Sequence, residues 1–230
     1  MRILIYDKMV DATGVPAAII SPALSDVYRD DITFSVTFDD AEYVDCIGIG
    51  YTDAETVTIS DGSDSDIITL PYTSANQRRF NNGLYRLSTP FDSASYTISH
   101  DGSYIGRVGI GQHRRLGTSV SKENGFFTTT ESRMTLSGQV IPGAGGYTGR
   151  RVDLTTPYKI NVNVYNDILS AYEKQISKNF PFFMMLDDEQ HKLPVSFLRF
   201  YGRLKDTDML LQSSIYKFLY SYKWQFYEAF

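Results

Sequence analysis

The chain has 230 residues, of which 42% are hydrophobic and 21% are charged, a composition typical of a folded protein with a sizeable core. Its formal net charge of −5 removes the usual electrostatic basis for a general nucleic-acid binder. The single cysteine, Cys46, excludes an intramolecular disulfide and a zinc site built from several cysteines. The 17 tyrosines and 14 phenylalanines favour a β-rich protein with extensive contact surfaces.

The N-terminus carries only a brief apolar run, residues 3–5, before Tyr6 and Asp7. This run is too short for a signal-peptide core or a membrane span, so we expect folding in a cytoplasm and no membrane insertion.

The first half of the chain reads as many short strands separated by turns. Residues 3–8 predict a first strand, and residues 32–38 alternate cleanly, with Ile32, Phe34, Val36 and Phe38 on one face. A polar corner is expected at residues 39–42. Further strands are predicted at residues 44–51, 56–60, 66–70, 84–88, 95–99 and 105–111. Short strands at regular turn spacing indicate a sandwich or barrel rather than an α/β fold.

Residues 44–51 suit a strand that is covered on both faces. Val44, Cys46, Gly48 and Gly50 fall on one face, and Asp45, Ile47, Ile49 and Tyr51 fall on the other. We expect Cys46 to be a buried, inert thiol and the glycines to permit close packing between sheets.

The second half of the chain predicts a different organisation. Polar and Gly-rich residues across 116–149 mark a domain transition, which divides the chain into residues 1–118 and 119–230. Tyr165, Ile168, Leu169, Tyr172 and Ile176 recur at helical spacing after a candidate N-cap at Asn163. Strands are then predicted at residues 182–186 and 195–204.

The last predicted strand has an aromatic face at period two. Its members are Tyr216, Phe218, Tyr220, Tyr222, Trp224 and Phe226. Such a face must be buried in the core, against a neighbouring subunit or on a ligand. We therefore treat the row as a candidate assembly interface, with a sugar-stacking platform as the alternative. The strand could also add to a neighbour's sheet.

No recognisable catalytic constellation is present, so we expect neither an enzyme nor a cofactor. The phrase Gly48-Ile49-Gly50 lacks the third glycine of a dinucleotide fingerprint, and there is no phosphate-binding loop, zinc-protease motif or nucleophile elbow. The histidines His100, His113 and His191 are each expected in a solvent-facing turn.

Two weaker candidate sites remain. Asp61, Asp64 and Asp66 could supply calcium ligands, although they lack the glycine placement and distal glutamate of an EF-hand loop, and a plain hairpin turn is preferred. The basic cluster His113, Arg114 and Arg115 could contact a ligand or a partner, or simply be a solvated strand end.

Residues 32–38, 44–54, 56–60 and 104–111 together resemble discoidin-like, galactose-binding-type jelly rolls. In phage versions of that domain, a strand reading roughly vDxIxIgxtNA precedes xVtI; here Asp53-Ala54 stands where Asn-Ala is usual. The second half resembles the region that follows this domain in phage tail proteins. The similar segments are Ser137-Gly138, Arg150-Arg151-Val152, the predicted helix, residues 182–186 and residues 201–204.

The resemblance implies a mainly β fold: an N-terminal jelly-roll β-sandwich, then a smaller α+β domain with one helix and a long C-terminal strand. It also implies a structural protein of a phage virion, in the tail or tail tip, that assembles with copies of itself and with other virion proteins and supports host attachment. A different class of function stays open, in which the protein is a free carbohydrate-binding module. Loops at one end of the jelly roll, with exposed tyrosines for stacking, would then contact a cell-surface glycan.

Overall fold

The computed structural model describes residues 2–4, 7–21, 26–75, 77–115, 121–128, 133–134, 140–141, 148–155, 182–186, 199–204, 210–214 and 219–228. The strands in these ranges are β1 (Arg2–Leu4), β2 (Thr33–Ile49), β3 (Thr56–Ser60), β4 (Ser65–Thr69), β5 (Gly83–His100), β6 (Val108–Gly111), β7 (His113–Arg115), β8 (Ser121–Thr128), β9 (Arg133–Met134), β10 (Val140–Ile141), β11 (Thr148–Thr155), β12 (Phe182–Met185), β13 (Arg199–Leu204), β14 (Leu210–Ser214) and β15 (Leu219–Glu228). A short helix α1 (Ala17–Ile20) and two 3-10 turns, Lys8–Val10 and Arg78–Asn81, complete the described elements. The helix predicted after Asn163 lies outside these residues.

The strands form antiparallel sheets, which confirms the prediction of a mainly β protein. A five-stranded sheet has the order β4-β3-β5-β2-β6, and an eight-stranded sheet has the order β7-β1-β12-β13-β15-β11-β8, with β14 also paired to β15. Strands β9 and β10 form a small separate pair. Among the described residues, no helix is long and apolar enough to cross a membrane.

The polar corner predicted at residues 39–42 is wrong, because β2 continues through it as one strand of 17 residues. Strand β5 likewise runs unbroken through the gap predicted between residues 88 and 95. The pairing of β2 with β5 instead shifts register at two points, between Thr37 and Glu42 and between Val44 and Cys46. Such irregularities bend a strand pair without ending it. The polar residues at the bend therefore have the sequence pattern of a turn although the strand continues through them.

The second register shift also changes which side chains share a face. Val44 packs in the main core with Ile47 and Ile49, whereas Cys46 packs in a different cluster. The prediction that Val44 and Cys46 lie on one face is therefore wrong, because an irregularity between them breaks the simple alternation. Cys46 is buried, as expected.

The main core lies against one face of the five-stranded sheet. The alternating residues Phe34, Val36 and Phe38 are buried in it, as predicted, whereas Ile32 precedes the strand and is 58% exposed. The other buried members are Met9, Ile19, Val44, Ile47, Ile49, Ala54, Val57, Ile59, Ile68, Leu70, Tyr85, Leu87, Phe91, Tyr96, Ile98, Ile105, Val108 and Ile110. Members from both ends of β2 and β5 belong to this single cluster, so the bent strand pair curves around its own core.

The opposite face of the five-stranded sheet meets the eight-stranded sheet. Cys46 and Leu84 pack there with Phe183 and Tyr201, whose rings lie 4.5 Å apart. A Cβ atom at Gly48 would lie 2.3 Å from the Phe183 ring, closer than side chains tolerate. Close packing between sheets therefore requires glycine at position 48, as predicted from the sequence.

The eight-stranded sheet combines strands from both halves of the chain. β1 pairs with β7 on one side and with β12 on the other, so two short strands from residues 1–118 complete a sheet whose remaining strands follow residue 118. The division at residue 118 stays a prediction, as does the jelly-roll assignment.

Candidate functional site

The most distinctive surface lies where three connections of the five-stranded sheet meet. These are the segment before β2, the β2–β3 connection and the β5–β6 connection. Ile105 forms β-bridges with both Tyr28 and Thr52, which draws the three segments together. Tyr51 and Tyr104 lie here with their ring centroids 5.5 Å apart and an interplanar angle of 38°. We call Tyr51, Tyr104 and the neighbouring Arg29 and Arg78 the tyrosine platform.

Tyr51 is both exposed and conformationally unusual. Its side chain is 44% exposed, and its φ of +55° lies in the left-handed region, where it is the one non-glycine residue among those described. This conformation costs a residue with a Cβ roughly 1–2 kcal/mol. The surroundings hold it in place, because its N–H donates to Asn82 Oδ1 at 2.7 Å and its carbonyl accepts from Gly106 N at 2.7 Å.

Tyr104 is held by side chains of the β2–β3 connection. Its N–H donates to Asp53 Oδ1 at 3.0 Å, and its carbonyl accepts from Thr52 Oγ1 at 2.7 Å. Ser103 Oγ also donates to the Asp53 carboxylate. These hydrogen bonds join residues about fifty positions apart, so the relative placement of the two rings does not depend on either loop alone.

A buried arginine, Arg107, anchors the β5–β6 connection, which carries Tyr104. Arg107 accepts from Gly50 N at 2.7 Å through its carbonyl, and its guanidinium donates to Ile19 O at 2.9 Å and to the Asp7 carboxylate. Both side chains of the Asp7–Arg107 pair are almost fully buried. Removing one partner of such a pair leaves a buried charge, so the β5–β6 connection is firmly anchored.

Two arginines contact Tyr104. The Arg29 guanidinium carbon lies 4.9 Å from the centroid of the Tyr104 ring, a cation–π distance. Burial raises the pKa of Tyr104, the negative charges that Tyr51 and Asp53 can carry raise it further, and the charge and hydrogen bond of Arg78 oppose the rise. Burial also raises the pKa of Asp53, but hydrogen bonds from Ser103 and Tyr104 outweigh it and lower the pKa overall. Asp53 is therefore ionised at neutral pH.

The platform presents aromatic faces, hydroxyl groups and guanidinium groups to solvent. These groups suit recognition of a polar ligand that has an apolar face. The sequence did not single out Tyr51, Tyr104, Arg29 or Arg78. Tyr51 ends a strand pattern and Tyr104 follows a turn signal, but neither pattern indicates that two residues 53 positions apart share a surface.

A second cluster brings Asp45, Cys46 and His113 together, with one potential metal-ligating atom from each residue within 4.8 Å of the others. Asp45 Oδ1 accepts from the His113 N–H at 2.8 Å and lies 2.9 Å from Nδ1. Arg2 contacts His113 Nε2, and Cys46 Sγ donates to Gly111 O at 3.2 Å. Burial, and next the charge of Asp45, raise the pKa of the Cys46 thiol well above its usual value. The arrangement is that of a hydrogen-bonded structural corner.

The predicted basic cluster lies on β7 at the edge of the eight-stranded sheet. His113 pairs with Leu4, and Arg115 pairs with Arg2. The Arg114 side chain is exposed, whereas the His113 side chain is mostly covered. The expectation that His113 lies in a solvent-facing turn is therefore wrong, because it begins a paired strand. The role of the three residues as a partner contact stays a prediction.

The calcium candidates lie in and beside the hairpin between β3 and β4. Asp61 Oδ1 accepts from the N–H groups of Ser63 and Asp64 at 2.9 and 2.8 Å, and these bonds lower the pKa of Asp61. Asp66 accepts from Ser88 N on the neighbouring strand β5. Two of the three carboxylates therefore bind backbone N–H groups in different places, and the local geometry is that of the hairpin turn preferred from the sequence.

The aromatic row falls only partly within the described residues. Tyr216 and Phe218 lie outside them, whereas Tyr220, Tyr222 and Trp224 belong to the backbone of β15, as does Phe226. This strand pairs with β11 on one side and with β13 and β14 on the other. Residues 223–227 are paired on the β11 side, and residues 219–223 and 226–228 are paired on the other side. Addition of this strand to a neighbour's sheet stays a prediction, as does a contact through its side chains.

A buried ion pair closes the junction between the sheets. Arg150 donates from Nε to Glu228 Oε1 at 2.7 Å and from its backbone N–H to Oε2 at 2.9 Å, and both side chains are fully buried. The same guanidinium reaches Arg199 O at 2.8 Å and Arg79 O at 3.4 Å. Arg150 therefore ties β11, β13 and β15 to the turn before β5.

The expectation that His100 faces solvent is wrong, since it ends β5 with only 5% of its surface exposed. Neither ring nitrogen has a hydrogen-bond partner among the described residues. Burial lowers the pKa of His100 despite the nearby carboxylates of Asp53 and Asp101, so the imidazole is neutral at physiological pH. His191 lies outside the described residues.

No protein-family profile matches the sequence. A comparison with curated proteins likewise returns no match. Among solved structures, the chain is similar to a chain from the virion of a native gene transfer agent particle. The two share 15% identity with a TM-score of 0.29, over 52% of this chain and 85% of the other. A TM-score this low does not define a common fold.

Proposed function

We propose that the protein is a structural subunit of a phage-like virion, in the tail or tail tip, and that it assembles through the open edge of its eight-stranded sheet. Strand β8 carries this proposal. All eight of its residues pair with β11, and among the described residues no strand covers its other side. An edge of this length offers a row of backbone donors and acceptors to a strand from a neighbouring subunit.

In this proposal, the two parts of the chain predicted from the sequence have different roles. Residues 1–118 contribute the jelly-roll-like unit, and residues 119–230 contribute the assembly unit, to which β8, β11 and β15 belong. The resemblance of residues 44–54 and 104–111 to phage tail domains supports a location in the virion. Catalysis has no part in the proposed role.

A proline scan of the middle of β8 tests the proposal. Successive N–H groups of an antiparallel edge strand alternate between the paired side and the open side. Proline at Glu123, Asn124, Gly125 and Phe126 in turn will therefore remove either a β11 hydrogen bond or an outward donor. We expect mass photometry to show oligomers for the parent chain and a folded monomer for the variants at alternate positions. A parent chain that is monomeric at all concentrations, or outward-facing variants that assemble like the parent, would refute the proposal.

A second candidate function is favoured by the exposed, strained Tyr51 and its ring partner Tyr104. In this function the protein binds a glycan on the tyrosine platform, alone or as part of a virion. Sugar rings stack their apolar faces on aromatic side chains, and the cross-tied loops present two such rings at a fixed spacing.

The matched variants Tyr51→Ser and Tyr43→Ser test this candidate, because Tyr43 is a similarly exposed tyrosine, 41% accessible, on strand β2. On a glycan array we expect Tyr51→Ser to lose binding and Tyr43→Ser to keep it. Equal binding by both variants, or an array on which the parent chain binds nothing, would eliminate the candidate.

A further inference from the structure

We propose that the tyrosine platform selects acidic saccharides, in which a carboxylate or sulfate group projects beside a sugar ring. This inference rests on the second candidate function and adds the charge class of the ligand. It is carried by the placement of Arg29 and Arg78 around the Tyr104 ring.

The two arginines have charge available for a ligand. Within the described part of the chain, no carboxylate forms an ion pair with Arg29 or Arg78. Arg29 is exposed and lies over the Tyr104 ring. Arg78 donates from Nε to Thr73 O at 2.9 Å and also hydrogen-bonds the Tyr104 side chain. A guanidinium group matches two oxygens of a carboxylate or sulfate with parallel N–H donors, so the exposed Arg29 can bind such an oxyanion beside the Tyr104 ring, and Arg78 adds positive charge nearby.

Two acidic side chains of the neighbouring loops, Asp53 and Asp101, are committed to the loops themselves. Asp53 accepts from Tyr104 N and Ser103 Oγ, as described above. Asp101 Oδ1 accepts from the N–H groups of Glu55 and Thr56 at 2.8 and 3.0 Å, and Oδ2 accepts from Thr56 Oγ1 at 2.8 Å. The oxygens of Asp53 and Asp101 accept from backbone and hydroxyl donors, whereas the guanidinium groups of Arg29 and Arg78 lie beside Tyr104.

The backbone at the platform is also fixed in advance. A Cβ atom at Gly106 would lie 2.9 Å from Gly50 O, and one at Gly102 would lie 2.4 Å from Asp53 Oδ1. The two loops are therefore packed backbone to backbone beneath the rings. A ligand would order few additional groups on binding, which favours affinity for a small, rigid unit such as one or two sugar residues.

The test uses the full chain and an immobilised panel of sialylated and uronic-acid oligosaccharides, each beside its neutral counterpart, desialylated or methyl-esterified. We expect acidic members to bind about tenfold more tightly than their neutral counterparts, as for loss of one charge-assisted hydrogen bond. Arg29→Gln should abolish that preference. Arg86→Gln, which removes an exposed arginine on β5 away from the platform, should leave it unchanged.

The outcomes separate this inference from the function on which it rests. If acidic and neutral members bind equally and Tyr51→Ser abolishes both, the platform binds glycans but the acidic preference is refuted. If no member binds, both are refuted. If Arg29→Gln and Arg86→Gln weaken acidic binding equally, the preference comes from overall charge rather than from the platform, and the inference also fails.

Discussion

The tyrosine platform and the junction between the two sheets use similar residue types in opposite ways. At the junction, Phe183, Tyr201 and the Arg150–Glu228 pair are buried, and each charge meets a partner inside the protein. At the platform, Tyr51 is exposed to solvent. Arg29 lies over the Tyr104 ring and forms no ion pair with a carboxylate among the described residues. The same residue types therefore stabilise the fold at the junction, whereas at the platform they remain partly exposed to solvent.

The largest expected effect concerns the ion pair at the junction. Arg150→Met leaves Glu228 buried without its cation, and we expect it to lower the free energy of unfolding by about 3–5 kcal/mol. Urea denaturation followed by circular dichroism measures the loss. The double variant Arg150→Met with Glu228→Leu should recover much of it, and a double variant no more stable than the single one would show that packing, not charge, dominates.

The next effect concerns close packing at the junction. Gly48→Ala places a methyl group against the Phe183 ring, and we expect a loss of about 1–3 kcal/mol from overpacking. Phe183→Leu should relieve part of the clash, so a double-mutant cycle should give a favourable coupling energy. Independent, additive effects in thermal or urea unfolding would contradict the observed packing.

A pH-dependent effect is expected at His100, the last residue of strand β5. This strand contributes Leu84 to the junction and leads into the connection that carries Tyr104. The pKa of His100 is lower in the folded state than the usual value near 6.5, so the unfolded chain binds more protons below that pH. The stability that neutral His100 contributes is complete above pH 6.5 and is lost as the pH falls towards its folded pKa. The unfolding free energy of the parent chain should therefore decline more steeply between pH 7.5 and 5 than that of His100→Gln; parallel curves would contradict this.

The smallest effect on stability is expected at the platform. Tyr51→Asn relieves left-handed strain, because asparagine tolerates that conformation, but loses the contact with Tyr104. We expect the gain from relieved strain and the loss of the ring contact to cancel to within about 0.5 kcal/mol of unfolding free energy, as is usual for exposed positions. A loss above about 2 kcal/mol in urea unfolding would indicate that Tyr51 serves cohesion, like the residues of the junction.

Local chemistry in the sequence determined the strand content, the burial of Cys46, the glycine at position 48 and the turn at Asp61. Alternation along Phe34, Val36 and Phe38 predicts a half-buried strand wherever that strand lies, because side chains of a strand point alternately to its two faces. A short polar segment with Asp and Gly likewise turns through hydrogen bonds to its own backbone.

The tertiary structure alone decided the register and the partners. The shift between Val44 and Cys46, the joining of β1 and β7 to C-terminal strands, the pairing of Tyr51 with Tyr104 and the burial of Arg150 against Glu228 all depend on contacts between distant residues. One residue of slip in a strand pair exchanges every inward side chain for an outward one, and local patterns do not specify which strand is the neighbour. For this reason the sequence indicated a mainly β protein, whereas the candidate site became visible only in the folded chain.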